Sequence, residues 1–294
     1  MSAPGQDHHH GLQEKSFPAG EVTLNYVEGE NNGPPLVLVH GLGRRWQVFL
    51  PLIPSLSLRW HIYALDLRGH GQSTHVARGY TVARYAQDLT DFLVGCVKAP
   101  AVLFGHSLGG MISMWLAAHD PVSVRALVLG DNAIAGDEFQ HSMYPALFTG
   151  LHELADTGGP VEEMARGLGK IELRVPGLDE PVPIGDLPGN DDAYLLWWAR
   201  CLKQVDPDTF AMTLDQSCFE GWNGDELLRK ISCPTLLLQA NPALGGLMTD
   251  ADVKRATELL AHPVHVMFPT LGHALYIQQP EPVLRAVTNF LEAL

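Results

Sequence analysis

The stretch from Val102 to Met111 reads Val-Leu-Phe-Gly-His-Ser-Leu-Gly-Gly-Met. An apolar run enters Gly105-His106-Ser107-Leu108-Gly109, and helical spacing over residues 111–119 follows without a gap. This G-x-S-x-G pattern sets a serine on a strained turn between a buried strand and a helix. The flanking glycines are needed because side chains there would collide. A serine so held projects its hydroxyl, and the helix start behind it offers unpaired N–H groups to a developing anion. Ser107 is therefore read as a nucleophile, and the stretch commits the chain to a strand–turn–helix layout.

The rest of the chain repeats that layout. A strand that alternates between apolar and polar residues is expected over residues 21–27, and buried ones over 35–39, 60–66, 124–129, 234–239 and 265–268, with helical spacing between several of them. Strands alternating with helices argue for crossover units and a mostly parallel twisted sheet flanked by helices, with sites gathered at the carboxyl ends of the strands. Between residues 133 and 224 the strand-like runs give way to helical candidates over 138–156, 160–171, 191–205 and 207–216. A Pro- and Gly-rich connector over 175–183 separates the second from the third. The expected organisation is a flexible tail over 1–15, a core domain over 16–132 and 225–294, and an inserted helical cap over 133–224. A closing helix is expected over 282–294.

Composition narrows the chemistry. The 294 residues are 46% hydrophobic and 18% charged, in keeping with a globular protein with a generous core. With 19 basic and 33 acidic residues the formal charge is −14, which repels phosphate backbones and argues against a nucleic-acid partner. Four widely separated cysteines form neither a disulfide framework nor a zinc site. The amino-terminal residues carry no secretory pattern, and His8 to His10 read as part of a solvated tail. The one apolar window near membrane-span length, residues 99–118, is broken by His106, Ser107, Gly109 and Gly110. The expectation is a cytoplasmic protein with no membrane partner, acting as a monomer or homodimer. No metal cluster, dinucleotide fingerprint or phosphate loop is present, so neither a metal nor a cofactor is implied.

A serine hydroxyl needs a base, and the base needs an orienting acid. His273, in Thr270-Leu-Gly-His-Ala274, follows the last strand and is read as the base. The acid has two candidate places. Asp131 follows the strand before the cap. Beyond the strand ending at Gln239 the first polar residue is Asn241, and the nearest carboxylates are Asp250 and Asp252, the latter a candidate helix N-cap. An amide orients an imidazole without stabilising the imidazolium, so Asp131 is preferred and Asp250 is the runner-up. The backbone N–H groups of Leu108 and Leu42, the latter in the His40-Gly-Leu-Gly43 loop, are the candidate oxyanion donors. Trp46 and Met111 beside these loops, and Trp197, Trp198 and Phe210 from the cap, are candidate walls of an apolar substrate pocket.

Taken together, the His40-Gly-Leu-Gly43 loop, the Asp66-x-Arg-Gly-His-Gly-x-Ser73 motif, the elbow and Gly272-His273 resemble the α/β-hydrolase superfamily over residues 20–294. The resemblance implies an α/β-hydrolase fold with a lid between the sixth and seventh strands, and a structural role for Asp66 to Ser73. It also implies an acid either after the seventh strand, where Asn241 departs from the pattern, or 24 residues past the nucleophile, where Asp131 stands. The expected activity is serine hydrolysis of a small to medium apolar carboxylic ester or lactone through an acyl-enzyme. Carbon–carbon bond hydrolases, cofactor-free haloperoxidases and hydroxynitrile lyases are alternatives with the same fold, and a slow-turnover, receptor-like binding protein is an alternative of another class.

Overall fold

A computed structural model describes residues 11–135, 143–175, 180–187 and 189–294. Six strands precede the helical insertion: β1 (Gln13–Ala19), β2 (Val22–Glu28), β3 (Pro35–Val39), β4 (His61–Leu65), β5 (Ala101–His106) and β6 (Val124–Gly130). The short helix α1 (Ile53–Leu56), α2 (Val82–Phe92) and α3 (Leu108–His119) lie between them. The insertion holds α4 (Tyr144–Thr157), α5 (Val161–Lys170), the two-residue strands β7 (Glu172–Leu173) and β8 (Val182–Pro183), α6 (Asp192–Leu202) and α7 (Asp208–Leu214). After it come α8 (Gly224–Lys230), β9 (Thr235–Ala240), α9 (Asp250–Leu259), β10 (Pro263–Phe268), α10 (Leu275–Gln278) and α11 (Pro280–Glu292).

Eight strands form one sheet in the order β1-β2-β4-β3-β5-β6-β9-β10. The β1–β2 and β2–β4 pairs are antiparallel and all the others are parallel. Each central strand is buried on both faces, and its side chains alternate between two apolar layers. Val37 and Val39 of β3 join the layer formed with α2, α3, α8 and α9, whereas Leu36 and Leu38 join the layer formed with α1, α10 and α11. Full burial of each such side chain stabilises the fold by about 1.5–3 kcal/mol. This layering explains why the central strands read as unbroken apolar runs.

The sequence expectation misses β1 and assigns residues 13–15 to the tail. The strand starts at Gln13, pairs with β2 from Gln13↔Glu28 to Ala19↔Val22, and is exposed over most of its length. An edge strand facing water needs no apolar run and accepts Pro18, so it leaves little signal in hydrophobicity. Its place is held by pairing and by an ion pair, Lys15 Nζ to Glu28 Oε2 at 2.7 Å. The insertion between β6 and β9 is helical and has an apolar cluster of its own, including Leu151, Leu168, Trp198 and Phe210. Residues 138–142 of the first expected cap helix, residues 176–179 of the connector and His8 to His10 lie outside the described residues. The four cysteines are all free.

The loops after β3 and β4 are tied by two buried histidines. His40 Nε2 accepts the N–H of Leu67 at 3.0 Å, so Nδ1 carries the proton and donates to Gly41 O at 2.8 Å. His70 Nε2 accepts the N–H of Gly43 at 3.1 Å, and its Nδ1 donates to Arg68 O at 2.9 Å. Asp66, also buried, accepts from Trp46 N, Asn25 Nδ2 and Gln72 N. The side chains of His40, His70 and Asp66 are thus spent on holding loops. Burial drives the His40 pKa well below the usual value and that of His70 down to about 4. A histidine whose folded pKa is depressed loses stability as pH falls from its unfolded value toward its folded one. Each such group then costs up to about 1.4 kcal/mol per pH unit. Urea-unfolding stability is therefore expected to fall steadily from pH 6.5 toward pH 4, and His70→Gln should flatten that slope. A stability profile level across this window in the unsubstituted protein would refute the neutral assignment.

Candidate active site

β5 ends at His106, and the chain turns through Ser107 into α3. Ser107 has φ 54° and ψ −121°, a conformation that costs a non-glycine residue about 1–3 kcal/mol and persists only where its surroundings impose it. Here they do so by contact. A Cβ on Gly105 would lie 2.2 Å from Gly109 O, and one on Gly109 would lie 2.1 Å from Val39 O. The turn is wedged between its own helix and the end of β3, so only glycine fits on either side. Ser107 N–H donates to Gly130 O at 2.9 Å, which ties the elbow to the end of β6.

The residue after that end is Asp131, fully buried with φ 45°. Its Oδ2 receives His273 Nδ1 at 2.6 Å and the N–H of Leu247 at 2.8 Å. Its Oδ1 receives the N–H groups of Ala240 and Met248, both at 3.1 Å. Three backbone donors and one imidazole surround the carboxylate and fill its lone pairs. Of the two acid candidates, Asp131 is therefore the one paired with His273. Asp250 sits in the first turn of α9 and accepts from Gln239 Nε2 at 2.8 Å. Asn241 is occupied locally, with Nδ2 on Pro269 O at 2.7 Å and Oδ1 accepting Ala243 N–H at 2.9 Å.

His273 is held from a second side by His106, whose Nε2 lies 2.8 Å from His273 O. Because that carbonyl can only accept, His106 carries its proton on Nε2. Burial, together with repulsion from His273, lowers the His106 pKa to about 3, so the ring stays neutral. The Tyr144 ring meets His273 edge-on at 5.3 Å, and its hydroxyl donates to Gly245 O at 2.7 Å.

Ser107 and His273 open onto one cavity of about 600 Å³, roofed by Tyr144, Leu147, Phe148 and Trp198 of the helical insertion. A smaller apolar recess of about 40 Å³ also reaches Ser107, bounded by Leu42, Leu108, Met111 and Phe219. Around the loop after β3, Gly43 N–H is bonded to His70 and Arg44 N–H to Gly41 O. Among the described residues, no backbone acceptor takes the N–H of Leu42 or Leu108.

Of the five wall candidates, Met111 lines the recess and Trp198 the cavity. The other three line neither. Trp46 is buried in the apolar layer beneath the sheet, with its indole N–H directed at Glu14 Oε1 at 3.4 Å. Phe210 is fully buried against Phe148 inside the insertion, and Trp197 stacks on Tyr194 beside the cavity. Burial claims large apolar side chains before ligands can, and the order of residues along the chain does not reveal which ones remain. Sequence reasoning also passed over Arg44 and Tyr194 in the cavity wall. The signal was available for the first, an arginine directly behind the His40-Gly-Leu-Gly43 loop.

The model of the alpha/beta hydrolase family matches residues 36–286. The chain belongs to that family. Over 280 residues this hydrolase is 27% identical to a 2-(acetamidomethylene)succinate hydrolase of Mesorhizobium japonicum, with 93% of each chain covered. It is 29% identical over 283 residues to a pimeloyl-(acyl-carrier protein) methyl ester esterase of Stenotrophomonas maltophilia, covering 92% of this chain and 97% of that one. The solved enol-lactonase of Burkholderia xenovorans LB400 shares the fold, with a TM-score of 0.73 at 19% identity over 95% of this chain and all of that one. Among the described residues of this hydrolase, no helix is long and apolar enough to cross a membrane. No group of three or more His, Cys, Asp and Glu among them could hold a metal ion.

Asp131→Ala would strand three buried N–H groups and one imidazole N–H, at a cost of roughly 3 kcal/mol or more. Asp250→Ala removes one side-chain bond and a first-turn charge, costing about 1 kcal/mol. Urea unfolding of the two variants should show this order, and equal losses would contradict the role of Asp131 as the hub of these loops.

Proposed function

We propose that this family member is a serine hydrolase that cleaves a carboxylic ester or lactone through an acyl-enzyme, with residues 133–224 acting as a cap that selects the substrate. The observation that carries the reading is the 2.6 Å bond from His273 Nδ1 to Asp131, made beside the cavity that Ser107 also faces. That bond commits the Nδ1 proton and leaves Nε2 as the basic nitrogen. In the proposed reaction Ser107 Oγ attacks the carbonyl carbon and its proton passes to His273 Nε2. Asp131 stabilises the imidazolium that results.

The oxyanion of the tetrahedral intermediate is received by the N–H groups of Leu42 and Leu108. Collapse breaks the bond to the alcohol, which leaves with the proton from His273. A water molecule then attacks the acyl-enzyme while His273 takes its proton, and a second collapse breaks the bond to Ser107 Oγ, which receives that proton back from His273 as the acid product is released. Each oxyanion donor contributes about two to three orders of magnitude in rate. The relatives named as an esterase and as a succinate-derivative hydrolase support acyl transfer to water as the reaction class.

A fluorophosphonate probe is expected to label the unsubstituted protein at Ser107 and to leave Ser107→Ala unlabelled. Steady turnover of short p-nitrophenyl esters should accompany the labelling, and Asp131→Asn should lower kcat by about 10⁴. Asp250→Asn should stay near the unsubstituted rate. A folded protein that resists the probe would overturn the reading, and a single burst without turnover would favour the binding-protein alternative.

A further inference from the structure

Arg44 is the only Lys or Arg in the wall of the large cavity, and no Asp or Glu lines that cavity among the described residues. Among the described residues its guanidinium has one hydrogen bond, from Nη2 to the Tyr194 hydroxyl at 3.1 Å. Nη1, like the indole Nε1 of Trp198, is fully buried and has no hydrogen-bond partner among the described residues. The Arg44 Cζ lies over the Trp198 ring at 3.9 Å from its centroid, with the Trp197 and Tyr194 rings at 5.7 and 6.0 Å. Stacking occupies the face of a guanidinium and leaves its in-plane N–H groups free to meet an anion. Because the Tyr194 oxygen accepts from Arg44, its own proton is also available to donate.

The result, among the described residues, is a cation in the cavity wall with no carboxylate beside it and a tyrosine hydroxyl next to it that has a proton to give. Buried donors normally find partners, and buried cations normally find anions. On a chain of net charge −14 the long-range field repels an anion, so a site for one must be built from such local donors. We propose that Arg44, stacked on Trp198, and the Tyr194 hydroxyl form an anion subsite, and that the substrate of Ser107 carries a carboxylate beyond its scissile carbonyl. This rests on the serine-hydrolase reading and adds to it the substrate class, an ester or lactone acid in place of a wholly apolar ester. Tyr194 and Trp198 belong to α6, so an anion seated there would also bridge the loop after β3 and the helical insertion.

The competing account is that Arg44 only clamps that loop to α6 by stacking. Two pairs of probes separate the accounts. One carries the charge on the acyl side, p-nitrophenyl hemiglutarate against p-nitrophenyl valerate. The other carries it on the alcohol side, 4-acetoxybenzoate against phenyl acetate. The unsubstituted enzyme is expected to favour the anionic member of one pair in kcat/KM. Arg44→Met should shrink that preference about tenfold or more, chiefly through KM, and Arg44→Lys should restore part of it. Parallel losses on both members of each pair would reduce Arg44 to a clamp and overturn the proposal.

A binding measurement keeps the test independent of catalysis. Glutarate should raise the melting temperature of Ser107→Ala and leave that of Ser107→Ala/Arg44→Met unmoved, whereas no shift in either would overturn the subsite. If no ester is turned over and Ser107 resists the probe, the hydrolase reading fails, while the glutarate shift still decides whether the anion site exists.

Discussion

The carboxylate of Asp131 is where the separate parts of this site are joined. It receives N–H groups from the end of β9 and from the loop beyond it, and it receives His273 from the loop after β10. Two chain segments distant from Asp131 in sequence, residues 240–248 and the loop of His273, thus converge on two oxygen atoms. A buried carboxylate is tolerated only when its lone pairs are filled, and here four donors fill them. The same bonds that make the charge affordable also fix the tautomer and position of His273. The stability of the loops and the orientation of the imidazole are one arrangement.

Around that hub, many polar groups at the strand ends are committed to one another, although His106 Nδ1 and Asn132 Oδ1 have no partner among the described residues. His40 and His70 each accept one backbone N–H and donate to one carbonyl, and burial keeps both neutral. Asp66 closes the loop that carries Trp46. His106 is turned toward the carbonyl of His273. Against this background, the uncommitted groups at the site among the described residues include the Leu42 and Leu108 N–H groups beside Ser107, which no backbone acceptor takes, and the Arg44 guanidinium, which meets no Asp or Glu in the cavity wall. The proposed chemistry and the proposed anion subsite both rest on that contrast. Pre-formed donors lose little entropy on meeting charge, which makes them effective for a transition state or a substrate anion.

Much of the fold was legible in the chain, and for identifiable reasons. Strands buried on both faces must be apolar throughout, so β3, β5, β6 and β9 announced themselves. The Ser107 elbow was legible because Gly105 and Gly109 face backbone atoms that leave no room for a Cβ. The acid was less so. Asp131 and Asp250 both follow strands and both suit turns, and what separates them is which loops fold back over β6. Neither β1 nor the fates of Trp46, Trp197 and Phe210 could be read, because an exposed edge strand lacks an apolar signature and an aromatic side chain serves a core as well as a pocket.

The sequence by itself therefore determined the parallel sheet, the strained serine, the late histidine and their order along the chain, since each depends on contacts between near neighbours or on simple periodicity. Only the tertiary structure decided which carboxylate meets His273, which aromatic rings face the cavity, and that Arg44 lies in its wall with no Asp or Glu beside it among the described residues. Those outcomes depend on how loops from β3, β6, β9 and β10 pack against one another and against α6. Such packing is set by the sum of many long-range contacts, and no local stretch of residues records it.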